Sequence, residues 1–399
     1  MQKRLRNRLT RKNGIKISLS VVILIGVFVA GISLGNGTLS STFDTGSLNR
    51  QLPGRLNYSS VNMVYQALKD NYDGKLTTTQ LLNGLKHGLA NAANDPYTEY
   101  FTPQEASAFN NELNNSFSGI GAELSQNSQG AIEIIAPLSG TPAAKAGLQP
   151  QDIIAAINGQ STANMTVEQA VNAIRGKANT TVTLTIIRGN KELSVPIVRG
   201  NIVVPSVTYK VLANNLGYIA ISSFANDTAN LMQKAATYMA QQRVKGIVLD
   251  LRNNPGGLVS AAVSTVSEWL KPGQEIMQEK RGTAVIQTYY ATGGDVLHGI
   301  PTVILVNGGS ASASEITAGA LHDHHDAYLI GTKTFGKGVV QQLINFPDGS
   351  ELKVTIAAWY RPDGQDINKV GITPDETVKL SNGGQDNQLT AAEAYLQSH

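Results

Sequence analysis

The sequence of 399 residues contains no cysteine. This absence excludes disulfide bonds, thiolate zinc sites, a cysteine nucleophile and a lipid anchor attached to cysteine. Charged residues are also scarce, at 15% of the chain, whereas globular proteins average about 25%. The hydrophobic fraction of 41% excludes a disordered chain and is too low for a protein that lies wholly within a membrane. The length therefore predicts two or three folded domains.

The positive charge is concentrated at the N-terminus. Residues 1–43 contain seven lysines and arginines and no acidic residue, whereas the rest of the chain carries 25 basic and 29 acidic side chains. The segment from Ile17 to Leu34 is uncharged, and as a helix of about 27 Å it would cross a thin bilayer. A basic segment before an apolar one predicts a cytoplasmic N-terminus and an extracytoplasmic body. The pattern therefore predicts a membrane anchor rather than a nucleic-acid-binding protein.

A cleavable signal peptide is the alternative interpretation of this segment. Ser33-Leu34-Gly35 has the small-x-small pattern of a cleavage site. The apolar run, however, is longer than the usual signal core of about 7–15 residues. We therefore favour an uncleaved signal-anchor that crosses the cell membrane once.

Beyond residue 57 the hydrophobic pattern changes from helical stripes to short strands, and then strands alternate with helices. Thr102, Pro103 and Glu105 form the pattern of a helix start. The order of elements predicts an α+β multidomain protein with an α/β core at its C-terminal side. The predicted segments are a basic cytoplasmic head (1–16), a transmembrane signal-anchor (17–35), a linker (36–57), a helical N-terminal region (58–116), a small α+β module (117–200), an α/β core (201–385) and a C-terminal helix (386–399).

One candidate site is a phosphate-binding loop, because Gly331-Thr-Lys-Thr-Phe-Gly336-Lys337 has the spacing of that motif. The motif requires Ser or Thr as the next residue, but this chain has Gly338. It also requires a following helix, whereas residues 339–344 have the pattern of a strand. Nucleotide hydrolysis is therefore the least favoured of the functional hypotheses.

A metal site at His322-Asp-His-His-Asp326 is a second candidate. On a helix only His322 and His325 share a face, and the spacing of a zinc protease is absent. The pattern favours a polar helix end with histidines near the negative end of the helix dipole. We expect no metal there.

A serine nucleophile with a lysine base is the third candidate. Ser310, Ser312 and Ser314 lie where an apolar strand meets a predicted helix, and the free N–H groups of a helix start can stabilise an oxyanion. Serine needs a base, and lysine serves when burial or a nearby cation keeps it neutral. Lys337, between two glycines, is such a lysine. The residue types alone also fit an ordinary turn and a surface lysine.

The order and spacing of several motifs resemble the C-terminal processing peptidases, also called tail-specific proteases, of serine peptidase family S41. The resemblance extends from about residue 58 to the end of the chain. The motifs are Asp95-Pro-Tyr-Thr-Glu-Tyr100, Gly119-Ile-Gly121, residues 143–154, Gly217-Tyr-Ile219, Asp250-Leu-Arg-Asn-Asn-Pro-Gly-Gly257, Ser310-Ala-Ser-Ala-Ser-Glu315, Thr334-Phe-Gly-Lys-Gly338 and Gly371-Ile-Thr-Pro-Asp375.

The resemblance implies a protease core with a ClpP/crotonase-like fold. It also implies that Ser312 is the nucleophile, that Lys337 is the general base and that Gln341 orients the lysine. If Lys337 starts a strand, Gln341 lies on the same face. The implied oxyanion hole comprises the N–H of Ala313 and that of one glycine in the Pro-Gly-Gly turn. The two possible glycines are Gly256 and Gly257.

Residues 117–200 resemble a PDZ domain, which implies a site for the free C-terminus of a substrate protein. The amides of its carboxylate-binding loop would form an anion-binding nest. The residues of that loop are Ser118, Gly119, Ile120 and Gly121. Apolar residues on the adjacent helix imply an apolar substrate terminus, although about half of them are expected to pack in the module's core. These residues are Val167, Ala170, Val171 and Ile174.

Asn179 stands where the family often has glycine, but asparagine also tolerates the left-handed backbone of a turn. Taken together, the resemblance and the charge pattern predict a membrane-anchored serine endopeptidase with a Ser–Lys dyad and no cofactor. Its expected partners are proteins with exposed apolar C-termini, the membrane and, as in related peptidases, a second copy of itself. The alternative is a catalytically inactive PDZ scaffold that binds C-terminal tails.

Overall fold

The computed structural model of the chain describes residues 52–53, 55–381 and 385–399. The predicted basic head, the signal-anchor and most of the linker lie outside the described residues. Within those ranges, no helix is both long enough and apolar enough to span a membrane. The described residues fall into two units, one that ends at Leu76 and one that extends from Thr77 to His399. In the described part of the first unit, the predicted helical stripe forms helix α1 (Ser59–Asn71).

The second unit begins with two helices and a short strand. These elements are α2 (Thr78–Asn91), β1 (Glu99–Phe101) and α3 (Pro103–Leu113). The start of α3 is the predicted one, because the Thr102 N–H donates to the Glu105 carboxylate at 2.8 Å. In return, the Glu105 N–H donates to the Thr102 hydroxyl at 3.4 Å. The exchange satisfies N–H groups that the first turn of a helix leaves free.

A small module of strands and two short helices follows. Its elements are β2 (Ser116–Gly119), β3 (Ala122–Gln126), β4 (Ile132–Pro137), α4 (Pro142–Lys145), β5 (Ile153–Ile157), β6 (Gln160–Ser161), α5 (Val167–Ile174), β7 (Thr181–Arg188), β8 (Lys191–Val198) and β9 (Gly200–Val203). The main sheet has the order β3-β4-β5-β7-β8, β6 adds to β5, and β2 pairs with β9. Asn179 has a φ of 64°, which confirms the expected left-handed turn.

The α/β core contains the remaining elements. They are β10 (Val207–Val211), β11 (Leu216–Ile221), α6 (Thr228–Gln242), β12 (Gly246–Asp250), α7 (Val259–Val266), β13 (Glu275–Arg281), β14 (Ala284–Tyr290), β15 (Thr302–Val306), α8 (Ala313–Asp323), β16 (Tyr328–Gly331), β17 (Val339–Asn345), β18 (Glu351–Tyr360), β19 (Glu376–Thr377) and α9 (Asn387–Ser398). The central sheet has the order β10-β11-β12-β15-β16-β19. Its strands are parallel except β10.

Helices cover both faces of the central sheet. Ile247 and Leu249 of β12 pack in one cluster with residues of α6, α7 and α8. Val248 points to the other face, where it packs in a cluster with Ala392 and Leu396 of α9. Because a parallel strand covered on both faces has no solvent side, β12 is a continuous apolar run. The loops at the carboxyl ends of these strands carry the candidate catalytic residues.

A second sheet has the order β1-β18-β13-β14, with β17 paired to β18. The hydrophobic pattern predicts β17 but not β13, β14 or β18. The reason is clear for β13, which reads Glu-Ile-Met-Gln-Glu-Lys-Arg and has few apolar residues to mark its buried face. This sheet contributes β17 and β18 to the candidate site.

Glu268 is a buried carboxylic acid just beyond α7. The regular helix α7 ends at Val266, and the hydrogen bonds beyond it tighten to a three-residue spacing, as from the Glu268 N–H to the Thr265 carbonyl. Glu268 is 7% exposed, and its Oε2 has no hydrogen-bond partner in the described chain. Burial raises the pKa of Glu268 to about 7.

We expect Glu268→Gln to stabilise the protein more at pH 8 than at pH 5. The unfolded chain releases this proton near pH 4.5, whereas the folded chain holds it to about pH 7. The free energy of unfolding therefore falls as pH rises between these values, and the loss persists above them. The shift corresponds to about 3 kcal/mol. Denaturant unfolding of both proteins at the two pH values measures it, and an equal difference at both would contradict the prediction.

Candidate active site

Ser312 lies in the turn between β15 and α8. Its φ of 52° and ψ of −114° are unusual for any residue except glycine, and such strain persists only where surrounding contacts hold it. The two neighbouring serines provide those contacts, because Ser310 donates to the Leu251 carbonyl at 2.7 Å and Ser314 donates to the Asn254 carbonyl at 2.9 Å. Both are fully buried, whereas Ser312 is half-buried and lines a cavity. Of the three serines, Ser312 alone presents its side chain to that cavity.

The Glu315 carboxylate joins the turn of Ser312 to the loop that contains Lys337. Glu315 is fully buried in the first turn of α8. Its Oε2 accepts from the N–H of Ser312 at 3.0 Å and from that of Lys337 at 2.9 Å. Its Oε1 accepts from the Gly336 N–H at 2.8 Å and from the Thr334 hydroxyl. The sequence motifs do not predict this role of Glu315, although Ser312-x-x-Glu315 has the spacing of a capping box.

Lys337 lies in the loop between β16 and β17. Its carbonyl accepts from the Trp359 indole at 2.9 Å, and its ammonium nitrogen is 5.0 Å from the centroid of the Tyr97 ring. Burial lowers the pKa of Lys337, the charge of Lys353 lowers it further, and Asp95 acts in the opposite direction. A lowered pKa increases the neutral fraction, and only a neutral amine can accept a proton.

Gln341 lies in β17 and lines the same cavity as Lys337. Strand alternation does not relate the two residues, because β17 begins at Val339, beyond Lys337. The register with β18 shifts at Gln341, which pairs with Thr355. The Gln341 amide donates to the Thr355 hydroxyl at 3.5 Å. The neighbouring strand β18 therefore positions Gln341, through its backbone pairing and through the Thr355 hydroxyl.

Two backbone N–H groups near Ser312, those of Ala313 and Gly257, have no acceptor within the described ranges. The Gly256 N–H differs, because it donates to the Asn254 side chain at 2.9 Å. A Cβ on Gly256 would lie 2.8 Å from the Ser312 Cβ and 2.9 Å from the Ala313 nitrogen. The Pro-Gly-Gly turn therefore approaches Ser312 too closely for a side chain. Gly257 has the free N–H, and Gly256 allows the close approach.

The cavity at Ser312 has a volume of about 650 Å³. Its wall combines polar and apolar residues, and the apolar ones include Phe109, Leu113, Leu258, Ile316, Val340, Ile356 and Trp359. Tyr289 and Glu279 also line it, and the Tyr289 hydroxyl donates to Glu279 at 2.9 Å. Burial and this contact raise the pKa of Tyr289 to about 12. The size and lining of the cavity suit an apolar segment of an extended peptide.

A second cavity of about 130 Å³ lies in the small module, between the loop after β2 and helix α5. Five of the predicted binding residues line it, namely Gly119, Ile120, Gly121, Val171 and Ile174. The other three do not. Ser118 pairs with Asn201 in the ladder of β2 and β9, Ala170 is fully buried in the module's core, and Val167 packs against that core. Of the helix residues, Val171 and Ile174 line the groove, and Ile174 also belongs to the core cluster with Ala170.

The surroundings of the histidine cluster and of the candidate phosphate-binding loop agree with neither a metal site nor a nucleotide site. His322 Nε2 is 3.0 Å from the Asp375 carboxylate, and its Nδ1 is 3.1 Å from the Arg361 guanidinium. Across the described part of the chain, no group of three or more potential ligands could hold a metal ion. Residues 331–337 lead into strand β17 and not into a helix, which is unlike a phosphate-binding loop.

Comparison with known proteins identifies both domains. The model of the family described as Peptidase family S41 matches residues 215–378, and the PDZ domain model matches residues 112–187. A "Probable CtpA-like serine protease" of Staphylococcus haemolyticus (strain JCSC1435) is 37% identical over 362 residues, which cover 90% of this chain and 72% of that protein. A protein of the same description from Staphylococcus aureus (strain MRSA252) is 39% identical over 341 residues, covering 83% and 68%.

A solved structure shares the fold. A structure of a candidate S41 protease from Bacteroides fragilis NCTC 9343 aligns with a TM-score of 0.53 at 18% identity, covering 87% of this chain and 99% of that one. The photosystem II D1 C-terminal processing protease aligns with a TM-score of 0.49 at 28% identity, covering 80% and 87%.

Proposed function

The chain belongs to peptidase family S41, and from that premise we propose that it is a membrane-anchored serine endopeptidase acting through a Ser312–Lys337 dyad. Its PDZ domain captures the free C-terminus of an unstructured protein, and its core cuts the adjoining chain. One observation carries the catalytic part. Ser312 and Lys337 line one cavity, while their backbone N–H groups bind the same carboxylate oxygen of Glu315.

The proposed reaction is an acyl transfer in two steps. The Ser312 hydroxyl oxygen attacks the peptide carbonyl carbon, its proton passes to the neutral amine of Lys337, and the carbonyl electron pair moves to oxygen. The N–H groups of Ala313 and Gly257 stabilise that oxyanion. The Lys337 lysinium then protonates the leaving amine as the C–N bond breaks. In the second step Lys337 takes a proton from water as the water oxygen attacks the ester carbonyl carbon. The lysinium then returns that proton to the Ser312 oxygen as the acyl C–O bond breaks, which releases the acid product and restores the enzyme.

Gln341 and Glu315 position the dyad without exchanging protons in this scheme. Gln341 lies in the same cavity as Lys337, and its amide can hold the lysine side chain towards Ser312. Glu315 fixes the backbone of both residues at once. Such positioning matters because a misplacement of about 1 Å can cost about 10²-fold in rate.

The PDZ domain supplies the proposed selectivity. The amides of the Gly119–Gly121 loop would bind the terminal carboxylate, and the tail would add as a strand beside β3. Val171 and Ile174, which line the groove, would contact the last side chains. Because both are apolar, we propose that the preferred substrates end in apolar residues. Capture of a free tail without an energy source restricts cleavage to loosely folded proteins.

The location of the enzyme is also part of the proposal. The basic segment of residues 1–16 and the apolar segment of residues 17–35 would hold the chain in the cell membrane, with the catalytic domains outside the cytoplasm. A dimer of such chains is compatible with this arrangement.

We expect the full chain in detergent to cleave a disordered protein that ends in a free apolar C-terminus. Amidating that C-terminus should raise KM by about tenfold, the equivalent of about 1.4 kcal/mol, and leave kcat nearly unchanged, because the carboxylate contact is remote from the bond that breaks. Mass spectrometry identifies the products, and initial rates give the two constants. A disordered protein that ends in aspartates provides the comparison for apolar selectivity.

The inactive scaffold makes the opposite prediction. It would bind the free C-terminus and not the amidated one, yet it would produce no fragment from either. Cleavage of both substrates with equal KM would contradict the PDZ part of the proposal and leave the catalytic part standing.

A further inference from the structure

Two charged side chains outside the dyad lie close enough to Lys337 to act on its charge, and they belong to different elements. We propose that Asp95 and Lys353 are positioning residues that set the charge state of Lys337, Asp95 by stabilising the lysinium and Lys353 by destabilising it. This inference rests on the proposed function, because it assigns a role only if Lys337 is the catalytic base.

Asp95 is held in a fixed orientation in the loop between α2 and β1. Its Oδ2 accepts from the Thr98 hydroxyl at 2.7 Å, and its Oδ1 accepts from the Tyr97 N–H at 3.3 Å. The Tyr97 ring in turn lies against the Lys337 ammonium, 5.0 Å from centroid to nitrogen. The loop therefore presents an aromatic face and a carboxylate to the base, and both favour a cation.

The Asp95 loop is attached to the strand that positions Gln341. The Thr355 N–H of β18 donates to the Thr98 hydroxyl at 3.1 Å, and the Thr355 hydroxyl accepts from the Gln341 amide at 3.5 Å. A chain of contacts thus extends from the Asp95 carboxylate through Thr98 and Thr355 to Gln341. A displacement of the loop would therefore move both the Asp95 carboxylate near Lys337 and the Gln341 amide that orients Lys337.

Lys353 approaches Lys337 from β18 and lines the same cavity. It lies directly opposite Glu99 of β1, and its ammonium nitrogen is 3.1 Å from the Glu99 carboxylate. The same nitrogen lies 4.9 Å and 5.1 Å from the ring centroids of Phe101 and Phe109. These contacts fix the position of the Lys353 side chain at the edge of the cavity.

The other charged and titratable groups near Lys337 do not take over this role. The Glu315 carboxylate is bound to backbone N–H groups, including that of Lys337. Glu279 and Tyr289, which also line the cavity, are hydrogen-bonded to each other. Burial opposes ionisation of Asp95, but its hydrogen bonds outweigh that effect and leave the pKa of Asp95 below its usual value. Asp95 is therefore an anion at the pH of catalysis.

The opposing charges suit a residue that must act twice. Lys337 is a neutral base when Ser312 attacks and an acid when the lysinium protonates the leaving amine. Burial and Lys353 favour the neutral form, and Asp95 favours the lysinium that forms in the transition state. A base that is balanced near the working pH transfers protons fastest in both directions.

The pH dependence of kcat/KM tests the proposal, because its acidic limb reports the titration of Lys337 in the free enzyme. Asp95→Asn removes a negative charge, so the limb should move to lower pH by about half a unit or more. Lys353→Gln removes a positive charge, so the limb should move to higher pH by a similar amount. The double variant should return near the wild-type midpoint. All proteins are measured as full chains with the same disordered substrate.

Lys86→Gln is the matched control for Lys353→Gln. Lys86 is likewise paired with a carboxylate, that of Asp348 at 3.0 Å, and lies over an aromatic ring, that of Tyr100 at 5.1 Å. It borders a different cavity, so its removal should leave the midpoint unchanged.

The outcomes separate this inference from the proposed function. Lower rates in Asp95→Asn and Lys353→Gln with an unmoved midpoint would show a merely structural role and overturn the inference, while the dyad would stand. Shifts in the same direction for both variants would also overturn it. If Ser312→Ala still cleaves the substrate, the dyad and the inference fail together. If Asp95→Asn does not fold, the midpoint of Lys353→Gln decides alone.

Discussion

Ser312→Ala and Lys337→Met are each expected to lower kcat for cleavage of a disordered protein by about 10⁴-fold or more. The first change removes the atom that attacks the carbonyl, and the second removes the group that accepts its proton. Because the two residues act as one unit, the double variant should be no less active than either single one. Single-turnover assays with mass-spectrometric detection cover this range.

Neighbouring residues provide matched controls for both changes. Ser314→Ala removes a serine two positions away that anchors the turn through its bond to the Asn254 carbonyl; it should cost about 1 kcal/mol of stability and lower kcat by no more than about 10²-fold, far less than Ser312→Ala. Lys333→Met removes an exposed lysine of the same loop and should leave kcat unchanged. Full cleavage by Ser312→Ala or by Lys337→Met would rule out the proposed dyad.

Glu315→Gln is expected to lower the free energy of unfolding by about 3 kcal/mol and kcat by about 10²-fold. Each oxygen of the buried carboxylate accepts two hydrogen bonds. An amide replaces one oxygen with an NH₂ group, which cannot accept from the N–H or O–H donors opposite it. At least two buried donors then lose their acceptor, and the loops of Ser312 and Lys337 separate. Denaturant unfolding and steady-state kinetics measure the two effects.

Glu268→Gln makes the same chemical change at a buried glutamate whose Oε2 has no partner in the described chain. It should retain kcat and stabilise the protein at pH 8. The two variants should therefore change the free energy of unfolding in opposite directions, and only Glu315→Gln should lower kcat. A Glu315→Gln enzyme with wild-type kcat would show that this carboxylate is not what aligns the dyad.

Much of the candidate site can be predicted from local sequence. The serine run and the Phe-Gly-Lys-Gly run each lie in one segment, so Ser312, Lys337 and Gln341 can be proposed from motifs alone. Helix starts are local as well, and the Thr102–Glu105 pair shows it. These features depend on residues within a few positions of one another, and the sequence displays such residues together.

The remaining features depend on contacts between distant segments. The pairing of β1 with β18 brings the loop of Asp95 and the strand of Lys353 to the same side of the site, and the pattern of β18 does not predict that strand. The choice between Gly256 and Gly257 depends on which N–H the Asn254 side chain occupies. Val171 lines the groove while Ala170 packs in the core, although the helical period places both residues on one face of α5.

The anchoring of Ser310 and Ser314 has a consequence for chemical labelling. Their hydroxyls are buried and donate to main-chain carbonyls, so a reagent in the cavity meets one hydroxyl of the run and not three. A covalent reagent for serine hydrolases would therefore label this turn once per folded molecule. The labelled fraction of a preparation then counts its competent molecules, which allows kcat to be expressed per active site rather than per milligram of protein.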